Sequence, residues 1–149
     1  MGKKAFFASL LYLLPTLGLL GQGILYLTTQ RFMPYHRDAL GVEWNELSNS
    51  HQGFIIGVIR GMGAGSTSIS IAMILLLLIP FRRGERWSYW AIPFLGILFS
   101  LLTAYAAYTI DVRTPASTPW LATCGLASVY LLGAIVSYWP SPPARESTS

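Results

Sequence analysis

Four long apolar segments, separated by short polar connections, constrain this chain more than any other feature. They run from Ala5 to about Thr28, from Gly53 to Pro80, from about Ser88 to Ile110 and from about Pro119 to Trp139. An α-helix needs about 20 mostly apolar residues to cross the hydrocarbon core of a bilayer. Since backbone groups in lipid must be hydrogen-bonded internally, each segment is predicted to be a helix. The expected fold is an all-α, integral membrane four-helix bundle.

The amino-acid composition agrees with a membrane location. Of the 149 residues, 53% are hydrophobic and 11% are charged, whereas soluble domains have about 25% charged residues. These values exclude a disordered chain and disfavour a water-soluble globule. We expect one transmembrane domain over residues 1–139, an outer loop at 29–52 within it, and a flexible, polar, cytoplasmic tail at 140–149.

The first segment is interpreted as a retained helix and not as a cleaved signal peptide. Lys3 and Lys4 precede it as in a signal peptide, but its apolar stretch is much longer than the about 7–15 residues of a signal core. It also ends in the bulky Tyr26-Leu27-Thr28, where a cleavage site would have small residues.

The distribution of cations predicts the orientation, because cytoplasmic loops carry an excess of Lys and Arg. The set assigned to the inner side is Lys3, Lys4, Arg82, Arg83, Arg86 and Arg145, and the smaller set on the outer side is Arg31, Arg37 and Arg113. We therefore expect the protein to lie in the inner membrane of a cell with both termini in the cytoplasm. An even number of spans agrees with this, because it places both termini on the same side. Cations spread over helix ends in this way indicate topology and not nucleic-acid binding.

The outer loop is expected to be partly helical. Pro34 suits the first turn of a short helix, and Gly41 can end that helix in the left-handed conformation. Ser48 or Asn49 is expected to cap the second span, with Gln52 completing a capping box. Between the short helix and the second span, the apolar residues Val42, Trp44 and Leu47 alternate with polar ones. This pattern predicts an amphipathic turn on the membrane surface.

The same loop contains several residue types that bind metals, namely His36, Asp38, Glu43, Glu46 and His51. Their spacing does not match a known ligand pattern such as HExxH. His36 and Asp38 are two residues apart, so they do not share a helical face. We therefore assign no metal ligand, and interpret the loop as a solvated cap with internal ion pairs.

Small residues recur every four positions in the second span, which forms three overlapping GxxxG motifs. In lipid, such residues let helix backbones approach closely, and packing then drives association. The predicted helix-packing face consists of Gly53, Gly57, Gly61, Ala64, Gly65 and Ser68. The sequence leaves open whether its partner helix belongs to the same bundle or to another chain.

Arg60 lies beside this face and is the one charged residue within a predicted span. Counting back about 20 residues from Pro80 places it at the outer boundary of the hydrocarbon. An intramembrane arginine needs an acceptor. We expect an ion pair with one of the outer acids, which are Asp38, Glu43, Glu46 and Asp111, or else contact with an anion or a lipid headgroup.

Missing residue types disfavour most membrane chemistries. No Asp, Glu, Lys or His lies inside a predicted span, which disfavours ion-coupled carriers, retinal-type Schiff bases and haem ligation. Cys124 is the single cysteine, so no internal disulfide or CxxC site exists. Among the uncharged polar residues of the spans, three could line a polar pocket, although interhelical hydrogen bonds are favoured for them; they are Gln22, Thr103 and Tyr105. No enzymatic activity and no cofactor are predicted.

Several short motifs resemble a group of small uncharacterised bacterial membrane proteins with four spans. The resemblance covers roughly residues 5–135 and implies the fold and the location, but it transfers no activity and no catalytic residues. The motifs that carry it are Phe32-Met33-Pro34-Tyr35-His36, Leu40-Gly41, Trp44, Arg60-Gly61-x-Gly63 and Ile79-Pro80-Phe81-Arg82-Arg83-Gly84-Glu85-Arg86-Trp87.

Two functional hypotheses remain. The first is a non-enzymatic membrane protein that packs against other helices, as an accessory subunit of a larger membrane complex. The second is a protein that binds or transports a small hydrophobic or lipid-like molecule between its helices, under the outer loop. The lipid bilayer and other membrane helices are the expected partners. An enzyme that uses His36, Asp38 or the loop glutamates at the outer surface is the least favoured alternative.

Overall fold

The computed structural model describes residues 3–138, and over that range it is helical with no strand. The helices are α1 (Lys3–Thr28), α2 (Pro34–Leu40), α3 (Asn49–Leu76), α4 (Ser88–Arg113) and α5 (Trp120–Tyr138). A short 3₁₀ turn covers Trp44–Glu46, and α3 continues as a π-helical turn over Leu77–Phe81. Since α1, α3, α4 and α5 are long and apolar enough to cross a membrane, the predicted all-α four-helix bundle is confirmed. The predicted flexible tail, residues 140–149, lies outside the described residues.

The third helix is longer than the span predicted for it, because it begins at Asn49 and not at Gly53. Together with its π-helical turn it has 33 residues. At about 1.5 Å per residue it is about 50 Å long, against about 30 Å of hydrocarbon. The first turns of α3 therefore extend beyond the hydrocarbon at the end where the connection between α1 and α3, residues 29–48, lies. We call this connection the cap.

The helices are arranged around α1, which packs along α3 on one side and along α5 on the other. The fourth helix packs along α5. In contrast, α3 and α4 contact each other little, although a short connection joins them. The bundle is therefore closed between α3, α1, α5 and α4 in that order, and it is open between α3 and α4 towards the cap.

Close contact between α1 and α3 depends on two glycines that face each other. A Cβ atom on Gly63 would lie 2.8 Å from the carbonyl oxygen of Gly23, and one on Gly23 would lie 2.7 Å from the backbone nitrogen of Thr67. Any side chain would force the backbones apart. The tightest helix contact of the bundle therefore lies on a face of α3 that excludes the predicted GxxxG residues.

A hydrogen-bonded group of side chains lies in the core. Tyr12 and Tyr130 are completely buried, and the Tyr130 hydroxyl lies 2.9 Å from the hydroxyl of Thr16. The Tyr12 hydroxyl lies 3.1 Å from that of Ser137, and Tyr130 also donates to the sulfur of Met73 at 3.8 Å. Hydroxyl groups in an apolar interior need such partners, so this group links α1, α3 and α5.

The cap folds as its local sequence predicts. Helix α2 starts with Pro34 in its first turn and ends at Gly41, whose φ of 67° is left-handed and whose N–H donates to the Arg37 carbonyl. The Ser48 hydroxyl accepts the N–H of His51 and caps α3. The predicted capping box is wrong, because the Gln52 amide instead donates to the carbonyl oxygen of Trp44 at 2.9 Å.

Candidate functional site

The predicted helix-packing face is fully exposed in the bundle. All six of its residues are exposed: Gly53, Gly57, Gly61, Ala64, Gly65 and Ser68. No atom within residues 3–138, apart from the local helix backbone, comes within 4 Å of a Cβ atom built on any of its four glycines. A partner within the described bundle is therefore excluded, and the partner would have to come from another molecule.

The opposite face of α3 makes the contacts of the bundle. Its buried residues are Ile59, Gly63, Ser66, Ser70 and Met73. At about 100° per residue, Gly63 lies about 160° around the helix from Gly65. Gly63 falls outside the four-residue register of the other glycines, so the periodicity did not indicate it. Helix α3 thus has one small-residue face in contact with α1 and a second face that is open.

Arg60 does not form any of the predicted ion pairs. Its side chain is exposed, and its Nη2 atom donates to the Oε1 atom of Gln30 at 3.5 Å. Among the described residues the ion pairs of the cap belong to Arg37, which lies 3.0 Å from Asp38 and 4.0 Å from Glu43. Arg37 outcompetes Arg60 because it lies on the cap itself, next to Asp38 in the chain.

The other two acids are also satisfied locally. Glu46 accepts the backbone N–H of Glu43 at 3.0 Å. Asp111 accepts the backbone N–H of Thr118 at 2.8 Å and so fixes the connection between α4 and α5. The ion-pair prediction for Arg60 is therefore corrected. The alternative, contact with an anion or a lipid headgroup, stays a prediction.

The histidines of the cap serve its own structure. The Nδ1 atom of His36 accepts the backbone N–H of Met33 at 3.1 Å, and burial lowers the pKa of His36 from its ordinary value of 6.5. The Nδ1 atom of His51 lies 2.8 Å from the hydroxyl of Ser48. Over residues 3–138, no three side chains of His, Cys, Asp or Glu come together as a metal site would require.

A groove of about 350 Å³ opens between α3 and α4 beneath the cap. Its walls are almost entirely apolar, and include Phe54, Val58 and Met62 of α3 and Ile110 of α4. His36 of the cap is one of its few polar residues. This groove occupies the opening that remains because α3 and α4 diverge.

A second cavity, of about 320 Å³ and open to the surroundings of the bundle, lies beneath the cap between α1 and α5. Its polar lining consists of Gln22, Tyr26, Tyr35 and Thr123. The hydroxyls of Tyr26 and Tyr35 are hydrogen-bonded to each other. Burial, together with this hydrogen bond, raises the pKa of Tyr35 above its ordinary value, so the hydroxyl of Tyr35 stays protonated.

The three polar span residues singled out in the sequence have different surroundings. Thr103 donates to the Phe99 carbonyl of its own helix, and Tyr105 is 71% exposed. Gln22 lines the cavity described above, and its amide has no hydrogen-bond partner among residues 3–138. The predicted interhelical hydrogen bonds are therefore wrong for these side chains, and Gln22 belongs to a polar pocket instead.

A groove of about 730 Å³ runs along α1 at the end of the bundle where the chain begins. It is lined by aliphatic and aromatic side chains of α1, with Val136 of α5, and Lys4 lies at its end. A surface that is almost entirely apolar suits lipid chains in general and selects no particular ligand.

No protein-family model matches the chain, and comparison with curated proteins and with solved structures gave no match. The resemblance to the group of four-span proteins stays a prediction.

Proposed function

We propose that this chain is a non-enzymatic, multi-pass membrane protein that packs against a helix of another membrane protein, as an accessory subunit of a larger complex. The open small-residue face of α3 supports this proposal. Other glycines make close contacts inside the bundle. Gly23 and Gly63 face each other, Gly96 lies against the ring of Tyr130, and Gly133 lies against the ring of Tyr12.

The cost of glycine in a helix adds a physical reason. Glycine is about 1 kcal/mol less favourable than alanine in a helix interior, and a lipid-facing position gains nothing from the missing side chain. Three overlapping GxxxG motifs instead suit a close crossing with another helix, which van der Waals contact stabilises in lipid. An external partner would thus use a surface that the isolated bundle leaves open.

A site-specific crosslinking experiment tests this function. A photoactivatable residue at Ala64 is expected to form an adduct of defined mass in native membranes, whereas the same residue at Leu121, an exposed position of α5, should label lipid only. Gly57→Leu with Gly61→Leu should abolish the adduct, because leucine side chains separate the backbones. Gly125→Leu is the matched control, since Gly125 is exposed and open in the same way. An adduct that survives the double substitution would mean that close packing at these glycines does not hold the partner, and labelling of lipid alone at Ala64 would mean that the face contacts lipid.

We further propose that the protein lies in the inner membrane with both termini in the cytoplasm. The unequal distribution of cations supports this orientation. Arg82, Arg83 and Arg86 lie in the connection between α3 and α4, at the same end as the N-terminus, and the cap carries only Arg31 and Arg37.

A second candidate function is the binding or transport of a small hydrophobic or lipid-like molecule. The groove and the cavity beneath the cap favour it, because both lie between helices near the membrane boundary. Ligand sites typically combine apolar walls with a few polar groups. Of the two, the cavity beside Gln22 has the more polar lining.

A further inference from the structure

The amide of Gln22 has an unusual position for a polar side chain. Gln22 lies within the first membrane span. It is four residues before Tyr26, which places it about 6 Å, or one helical turn, closer to the middle of the bilayer. No residue in the described part of the chain accepts or donates a hydrogen bond to it. Gln22 is partly exposed towards this cavity, and since a polar group within lipid is unfavourable without a partner, its amide is available to a hydrogen-bonding group of a ligand.

The other lining residues define which polar group fits. The Thr123 hydroxyl donates to the carbonyl of Pro119 at 3.4 Å, so its oxygen can still accept a hydrogen bond. The Tyr26 and Tyr35 hydroxyls bond to each other, which leaves one of their two protons for another acceptor. Gln22 supplies both donors and an acceptor. A complementary headgroup therefore has an acceptor and a donor of its own.

The charge of the site narrows the ligand further. None of the residues that line the cavity, all of them within the described chain, is a Lys, Arg, Asp or Glu. A phosphate or carboxylate would lack a cation here, and an ammonium group would lack an anion. The remaining lining residues, among them Leu25, Met33 and Leu126, are apolar and suit a hydrocarbon tail. The cavity thus selects an uncharged amphiphile.

We propose that this cavity binds the head of an acylglycerol, in which a free hydroxyl and an ester carbonyl lie close together. The Gln22 amide nitrogen donates to the ester carbonyl, and its oxygen accepts the hydroxyl of the glycerol. The acyl chain extends along Leu25 and Leu126 into the surrounding lipid. A quinone head would only accept hydrogen bonds and would leave the Gln22 oxygen without a partner. This inference rests on the second candidate function and is independent of the open face of α3.

The test uses the full-length chain in lipid nanodiscs and a diacylglycerol that carries a diazirine on its acyl chain. Labelling should be saturable and should map to peptides of α1 and α5. Gln22→Leu should weaken apparent binding by about two- to tenfold, as expected for the loss of neutral hydrogen bonds. Gln30→Leu, the same substitution at an exposed position outside the cavity, should leave binding unchanged. Leu126→Trp, which fills the cavity and keeps Gln22, should also reduce labelling.

Competition separates the alternatives. Unlabelled diacylglycerol should displace the probe, whereas phosphatidylglycerol and a short-chain quinone should not. Displacement by the quinone at equal concentration would overturn the assignment of the headgroup. Saturable labelling that maps to α3 and is insensitive to Gln22→Leu and Leu126→Trp would place the ligand in the other groove, so that ligand binding stands and this site is wrong. Absence of saturable labelling would reject both the binding of a lipid-like molecule and this site.

Discussion

At the scale of single residues, Arg60 shows how local competition decides an ion pair. The four acids predicted for it already have other partners, and Arg60 has one long contact with Gln30. We predict that Arg60→Ala changes the free energy of unfolding by about 0.5 kcal/mol or less, as for other exposed substitutions. Thermal unfolding in mild detergent measures this. Because the contact is shared, Gln30→Ala should add little to Arg60→Ala. A loss of several kcal/mol would indicate a buried acceptor instead.

His36 makes the cap sensitive to acid. Its Nδ1 atom accepts the Met33 N–H only while it is unprotonated, and burial lowers its pKa below 6.5. The folded cap therefore binds a proton less readily than the unfolded cap, so the stabilisation is complete above pH 6.5 and is lost as the pH falls through the lowered pKa. We predict that the protection factors of the α2 amides against hydrogen exchange, which correct for the intrinsic pH dependence of exchange, fall in that acid range. His36→Asn should remove this pH dependence, whereas His51→Asn, at an exposed position, should retain it.

At the scale of helices, two neighbouring glycines of α3 should respond in opposite ways. Gly63→Ala places a Cβ atom 2.8 Å from the Gly23 carbonyl oxygen, and overpacking of this kind typically costs about 1–3 kcal/mol. Gly65→Ala meets open space and improves helix propensity, so the isolated bundle should be unchanged or slightly more stable. Thermal unfolding of both variants in detergent checks this. Equal destabilisation of the two would contradict the assignment of the α1–α3 contact.

At the scale of the whole molecule, the orientation can be tested with single cysteines in a Cys124→Ala background. A cysteine at Asn45, in the cap, should react with a membrane-impermeant maleimide in intact cells. A cysteine at Glu85, in the connection between α3 and α4, should react only after the membrane is opened. The reason is the excess of arginines around Glu85. Reaction at Glu85 in intact cells, with protection at Asn45, would reverse the proposed orientation.

The sequence alone was sufficient for features that depend on neighbouring residues in the chain. Hydropathy summed over about 20 residues identifies a span whatever its neighbours are, so all four spans were predicted. The short helix α2 was predicted as well, because Pro34 and Gly41 determine its two ends locally. The capping residue Ser48 indicated where α3 begins, whereas hydropathy gave the span only from Gly53, since the first turn of a helix that extends beyond the membrane is polar.

The tertiary structure decided which of the possible partners each residue contacts. Both glycine faces of α3 suit close packing, and only the position of α1 determines that Gly63 is used and that Gly61 is open. Arg60 contacts Gln30, 30 residues earlier in the chain, and none of the acids predicted for it. The cavity beside Gln22 forms from α1, α5 and the cap together. Such contacts join segments that are far apart in the chain, so local propensity and periodicity contain no information about them.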